Sequence, residues 1–191
     1  MELILASKSP RRHEIMDLMG LSYTEEACTE PERIEAGLSS AETVMQLARQ
    51  KACFALRLHP DACVIGADTI VELDGEIIGK PASPEDAVRT LTRMQGRSHY
   101  VYTGLAVLKR GYADVRYAVT KVRFRTMSEK EIRWYVSTGE PMDKAGSYGV
   151  QGLGSVFVDS VDGNYFNVAG LPAPVLYDML LKADAVTEDR T

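Results

Sequence analysis

The chain predicts an α/β fold, on three observations. Short apolar runs of strand length alternate with helix signatures along the whole sequence. The most apolar run, Ala62 to Val71, is β-branched and long enough for a central strand covered on both faces. Helix starts carry capping chemistry: Ser9-Pro10, Ser39 with Glu42, Ser83-Pro84, and Ser128 with Glu131. A length of 191 residues suits one domain, or one domain with two lobes. Hydrophobic residues at 45% and charged residues at 26% imply a soluble protein with a real core.

The first element, Leu3-Ile4-Leu5, reads as a buried strand and not a signal peptide, since polar and charged residues follow at once. Ala6 to Ser9 then turns into a helix, with Ser9 as N-cap and Pro10 at the first helical position. That turn gathers backbone N–H groups, the Ser7 and Ser9 hydroxyls, and Lys8, Arg11 and Arg12 at one strand end. A helix N-terminus favours an anion, and paired guanidinium groups favour phosphate. The plain alternative is a capped helix with solvated cations. The helix runs to Met19 with Ile15, Leu18 and Met19 on one face, and Gly20 stops it. Thr29 to Glu35 is an acidic loop broken by Pro31. It is either a solvated charge run or the source of a carboxylate, Glu32 or a neighbour, that returns to the first turn to hold a divalent metal.

Ser39 and Glu42 open the second helix, with Val44, Leu47, Ala48, Ala55 and Leu58 facing inward. Lys51 falls on the same apolar face, where its ammonium either snorkels to water or points at an anion. Asp68 interrupts the central strand, and an ionised aspartate there needs a partner; metal ligand or base is the functional reading. Asp74-Gly75 predicts a tight hairpin returning through Glu76 to Ile78. Gly79-Lys80-Pro81 ends it, placing Lys80 at a strand end as a second phosphate cation or a solvated lysine. A helix from Pro84 packs Ala87, Leu91 and Met94 and ends near Gly96. His99 to Leu108 is a strand, with His99 expected as a hydrogen-bonded surface residue.

The alternation changes phase between Val119 and Val122, which predicts a bulge in a long antiparallel strand. The helix after Ser128 buries Ile132, Tyr135 and Val136 and stops at Gly139. Four glycines between Gly146 and Gly154 mark a loop whose backbone comes close to something, matching no familiar phosphate loop. Phe157 to Val161 and Tyr165 to Val168 are expected as a hairpin around Asp162-Gly163. The last helix uses Leu176, Met179 and Leu180, and a frayed polar tail is expected from Asp184.

The net charge of −5 argues against general nucleic-acid or membrane-surface binding, so an anion site must come from a few placed cations. No apolar run reaches the roughly 20 residues that span a bilayer. Cys28, Cys53 and Cys63 lack metal-ligand spacing and suit free thiols in a reducing cytoplasm.

Taken together, these motifs resemble the Maf family of nucleoside triphosphate pyrophosphatases. The matching segments are Leu5 to Arg12, Gly66-Ala67-Asp68-Thr69, Gly79-Lys80-Pro81, Thr103-Gly104, Glu140-Pro141 with Asp143 to Gly146, Gly149 to Gly152, and Val168 to Pro172. They span nearly the whole chain in family order. The resemblance implies two α/β lobes around a twisted mixed sheet with a central cleft, as in inosine triphosphatase-like folds, all within one domain of residues 1–191. It implies hydrolysis of a nucleoside triphosphate to the monophosphate and pyrophosphate with a divalent cation, Mg²⁺ or Mn²⁺. Asp68-Thr69 and Lys144 to Gly152 resemble the branch acting on dTTP and UTP. There, positions matching Arg11, Thr69 and Gln151 bear on base choice, and the position matching Asp68 is the proton acceptor.

The expected mechanism sets a metal between Asp68, Glu32 and phosphate oxygens. Arg12, Lys51, Lys80 and the Ser7–Ser9 turn hold the triphosphate, and water activated by Asp68 or the metal attacks the α-phosphorus. Gln151 offers a donor and an acceptor to the edge of uracil or thymine. Other readings are a pyrophosphatase for modified purine nucleotides, a nucleotide-sensing module in cell division, and a phosphatase removing only the terminal phosphate. A nucleoside triphosphate is the expected partner, and a homodimer is compatible with the resemblance.

Overall fold

The structure is a computed structural model that describes residues 1–187. The strands are β1 (Leu3–Leu5), β2 (Thr24–Glu25), β3 (Cys63–Leu73), β4 (Glu76–Ile78), β5 (Ser98–Lys109), β6 (Tyr112–Phe124) and β7 (Val158–Asp162). The helices are α1 (Pro10–Leu18), α2 (Ser40–Leu58), α3 (Pro84–Met94), α4 (Glu129–Ser137), α5 (Tyr165–Ala169) and α6 (Ala173–Lys182). Among the described residues the strands form one mixed sheet in the order β2-β1-β3-β5-β6-β7, with β4 paired to β3. β1 runs parallel to both β2 and β3, which the intervening helices permit, whereas β3–β4 and β6–β7 are antiparallel.

The chain divides into two compact units. The first holds Met1–Asp68, Thr103–Ala118 and the segment from Gly170; the second holds Thr69–Tyr102 and Val119–Ala169.

The core of the first unit forms where α2 lies on the sheet. Ile4, Val64, Ala106 and Leu108 from the strands, with Ala6 just past β1, meet Ala48, Ala52 and Ala55 of the helix, all buried. The contact is unusually close because the sheet offers glycine beneath the helix. A Cβ at Gly66 would stand 2.1 Å from the Ala48 carbonyl oxygen, and one at Gly104 would stand 2.2 Å from that of Val44. The Ser39–Glu42 capping box fixes the start of α2. Val44, Leu47, Ala48 and Ala55 point inward as the periodicity predicts, but Leu58 is exposed. In α1, Ile15 and Met16 are buried and Leu18 is exposed, so Leu18 is not part of the inward face. Spacing gives the direction of a side chain but not how far the sheet extends beneath its helix.

In the second unit, Asp74 (φ 55°) and Gly75 (φ 79°) make the predicted hairpin turn, and Arg97 pairs with both Asp74 carboxylate oxygens at 2.7 Å. α3 packs on α4. Ala87, Leu91 and Met94 are buried on the first and Ile132, Tyr135 and Val136 on the second. The surface position expected for His99 is wrong. The residue is fully buried, edge-on to Phe124 and Tyr148 at ring centroid distances of 4.8 and 5.3 Å, and its Nε2 lies 2.8 Å from the Tyr148 hydroxyl.

Even-numbered residues of β6 from Thr120 to Phe124 are buried while Tyr117 and Val119 are exposed. The irregularity against β7 falls between Arg123 and Phe124, later than the phase change suggested. Tyr165–Ala169 is a short helix, not the second strand of a hairpin. Asn164 explains this: its side-chain oxygen accepts the Asn167 N–H at 2.9 Å, a helix-capping bond. Asn167 then donates to the Val101 carbonyl and the Thr120 hydroxyl, both at 2.9 Å. Of the polar tail expected from Asp184, residues 184–187 form no helix or strand, and the remainder lies outside the described residues.

Two stability measurements check these assignments. Gly66→Ala should cost about 2 kcal/mol or more in urea unfolding, because the added methyl meets backbone and not a movable side chain. Burial lowers the His99 pKa from its ordinary 6.5 to about 4. The unfolded chain therefore takes up this proton below pH 6.5 while the fold resists until about pH 4. Stability should fall across that window by up to about 3 kcal/mol from this residue, and His99→Gln should flatten the fall.

Candidate active site

The close seating of α2 on β3 builds the centre of the site. Gly66 and Asp68 are two residues apart on a strand and share a face; Ala48, Lys51 and Ala52 share a face of the helix. Where Gly66 admits Ala48, Lys51 meets Asp68. The Lys51 ammonium lies 2.5 Å from Asp68 Oδ1 and 2.9 Å from Glu32 Oε1. The Asp68 side chain is 12% exposed, that of Lys51 18% and that of Glu32 53%. The apolar-face lysine thus neither snorkels to bulk water nor sits alone. It bridges a buried carboxylate and one from the acidic loop.

Two glutamines of α2 hold that loop in place. Gln50 accepts the Arg33 N–H at 3.0 Å and donates to the Arg33 carbonyl; Gln46 accepts the Glu35 N–H at 3.2 Å. Glu30 turns instead to Arg57, at 2.5 Å. Alongside, Glu30, Glu32, Arg33, Gln50, Lys51 and Arg57 line an open cavity of about 920 Å³.

Arg12 enters from α1. Its Nε donates to the Gly170 carbonyl at 2.9 Å and Nη1 to the Ser7 hydroxyl at 3.0 Å. Burial lowers its pKa from the ordinary value, with Asp68 and Glu32 acting in the opposite sense and Arg11 adding to the fall. Ser9 stands at the N-cap of α1 with Pro10 after it, but its hydroxyl makes no capping bond. Ser7 organises the turn instead, accepting the Ser9 N–H at 3.2 Å as well as Arg12. Behind it, the His13 ring lies within 3.1 Å of the Ser7 carbonyl, 3.0 Å of Glu25 and 2.9 Å of the Tyr23 hydroxyl. The sequence around His13 and around the Gln46–Gln50 pair carries no motif that points to these roles. The i, i+4 spacing of the two glutamines beside the acidic loop was the only available signal.

Ser7, Arg12, Glu32, Lys51 and Asp68 therefore come together in the first unit, with Ser9 and Arg11 on the same turn and helix start. Thr69, Lys80 and Gln151 belong to the second unit. Thr69 follows Asp68 directly on β3 and is half-buried. Lys80 is exposed just after β4, where the preceding Gly79 carbonyl accepts the Gly146 N–H at 3.1 Å. Gln151 is exposed in the glycine-rich loop.

Among the described residues, no group of three or more His, Cys, Asp or Glu side chains is arranged to hold a metal. Glu32 and Asp68 nonetheless form a hard-oxygen pair on one ammonium. A pair of carboxylates suits a magnesium-type ion, which takes one or two protein carboxylates and completes its shell with phosphate and water oxygens. The three cysteines are free, and burial pushes the Cys63 thiol up to about 11, away from reactivity. No helix among the described residues is long and apolar enough to cross a membrane.

Fold and site together define an α/β protein with a phosphate-compatible cluster of cations and carboxylates. Residues 2–183 match the family model described as Maf-like protein. The chain belongs to the Maf family. A dTTP/UTP pyrophosphatase of Bacillus pumilus (strain SAFR-032) is 50% identical over 171 residues, covering 90% of each chain. One of Desulforamulus reducens is 47% identical over 180 residues, covering 93% of this chain and 94% of the relative. Among solved structures, the Ham1 protein of Staphylococcus aureus superposes with a TM-score of 0.54 at 17% identity, covering 96% of this chain and 100% of the other. A HAM1 protein from Coxiella burnetii gives 0.53 at 14%, covering 96% and 99%. These two share the fold.

Removing one member of the buried pair should expose the other's desolvation. Lys51→Met should destabilise by about 3 kcal/mol, and adding Asp68→Asn should restore part of the loss, as read in a urea double-mutant cycle.

Proposed function

We propose that this protein hydrolyses nucleoside triphosphates, with dTTP and UTP as its substrates, to the monophosphate and pyrophosphate. The observation that carries the reading is the Asp68–Lys51–Glu32 bridge with the half-buried Arg12 near it. It combines a proton acceptor, hard-oxygen donors and two cations in one place. Relatives at 47–50% identity named dTTP/UTP pyrophosphatase support the substrate class.

The triphosphate carries several negative charges, and Lys51, Arg12 and the turn from Ser7 to Ser9 supply donors for its oxygens. Arg12 is held rigid by Gly170 and Ser7, so little reorganisation accompanies binding. The attacking water forms a bond to the α-phosphorus as the bridge oxygen to the β-phosphorus departs with pyrophosphate. Its proton passes to the Asp68 carboxylate. A divalent cation such as Mg²⁺ or Mn²⁺, held chiefly by Glu32 while Asp68 serves as the base, would supply charge neutralisation at the phosphate oxygens. Arg11, Thr69, Lys80 and Gln151 take their roles from the family resemblance: Lys80 toward phosphate, the other three toward the base. Gln151 presents one donor and one acceptor, the complement of a uracil or thymine edge. The free thiols agree with a reducing compartment, and the cytoplasm is the proposed location.

A nucleotide panel with chromatography of the products tests the reading. UTP and dTTP should give monophosphate and pyrophosphate in the presence of Mg²⁺ or Mn²⁺. Turnover of modified purine nucleotides alone, or release of orthophosphate alone, would overturn it. Asp68→Asn should lower kcat by on the order of 10²–10⁴-fold, the usual worth of a positioned base.

A further inference from the structure

The glycine-rich stretch is built around one carboxylate. Glu140 opens a short 3₁₀ turn, Glu140–Asp143, after α4. Its Oε2 accepts the Leu153 N–H at 2.8 Å and its Oε1 the Gly154 N–H at 3.1 Å. The Tyr135 hydroxyl donates to Glu140 Oε1 at 2.9 Å and accepts the Gly149 N–H at 3.0 Å. Amides on both sides of Gln151 are thereby tied to one acid and the phenol bound to it.

The glycines follow from that packing. A Cβ at Gly152 would stand 2.5 Å from both Glu140 carboxylate oxygens. One at Gly154 would stand 2.6 Å from the Tyr135 hydroxyl, and one at Gly149 would stand 2.9 Å from Lys144 Cε. At positions 152 and 154 a side chain would collide with the carboxylate or the phenol, so the loop closes on them only with glycine there. Burial raises the Glu140 pKa, but the two backbone N–H bonds, Tyr135 and Lys144 outweigh it, so the acid stays ionised.

We infer that Glu140, relayed through Tyr135, is a positioning residue for base selection: its carboxylate is the template on which the 149–154 loop folds to present Gln151. This rests on the pyrimidine-nucleotide reading above. Glu140 fixes the main chain on both sides of Gln151, and with it the point and direction from which that side chain leaves the loop. A neutral amide at position 140 retains one acceptor oxygen and replaces the other with a donor, which faces the Leu153 or Gly154 N–H.

The test compares the parent with Glu140→Gln, Tyr135→Phe and Gln151→Ala, each assayed on UTP, dTTP and CTP, with amide hydrogen exchange followed at Leu153 and Gly154. Glu140→Gln should speed exchange at those amides by at least tenfold. It should raise KM for UTP and dTTP by about tenfold or more while kcat changes less than threefold, so that discrimination against CTP shrinks. Tyr135→Phe should show the same KM-selective pattern more weakly, and Glu140→Gln should add little to the discrimination already lost in Gln151→Ala. Unchanged exchange in Glu140→Gln would overturn the template. Faster exchange with unchanged base discrimination, or an equal loss on all three nucleotides, would overturn the selective role. A parent that hydrolyses neither UTP nor dTTP would overturn the functional reading and the selectivity claim with it, while the exchange data would still decide whether Glu140 shapes the loop.

Discussion

Everything in the first unit depends on how near α2 lies to the sheet. Gly66 and Gly104 remove the side chains that would hold the helix off, and the alanines at 48, 52 and 55 fill the thin layer that remains. This nearness brings a lysine in the middle of a helix to an aspartate in the middle of a strand. Neither ion is well hydrated, so each is tolerable only with the other present. The packing that stabilises the fold and the pairing that organises the site are thus one arrangement.

The second unit solves a related problem in reverse. There, a single carboxylate gathers main-chain donors from a loop too rich in glycine to hold a shape by itself. Conformational freedom that would otherwise be costly to restrain is restrained at a few strong, partly charged hydrogen bonds. In the first unit glycine lets a helix approach; in the second it lets a loop close.

Much of this was legible in the chain. Capping boxes at Ser39 and Ser128, the proline starts at Pro10 and Pro84, and the Asp74-Gly75 turn are local signals with local causes, and each element stands where they put it. Asp68 and Lys51 stood out because each violated the apolar pattern around it, and the structure shows that they violate it together. Features set by distant residues were not legible. Nothing near His99 announces that Phe124 and Tyr148 cover it. The Tyr165 segment reads as a strand by composition, yet it coils because Asn164 caps it and Asn167 finds Val101 and Thr120. Leu18 and Leu58 satisfied the helical period but lie where no neighbour covers them. The glycine-rich loop signalled a close approach, but its partner, Glu140, lies outside it, and the family motif that contains Glu140-Pro141 does not say what that carboxylate holds.

The clasp on the acidic loop has an evolutionary corollary. Gln46 and Gln50 grip main-chain atoms of Arg33 and Glu35, not their side chains. Any amino acid with a free amide hydrogen could occupy positions 33 and 35 and be gripped equally well. The side chains there are at liberty to drift between lineages, reshaping the rim of the adjoining cavity, while the carboxylate at position 32 stays on its ammonium.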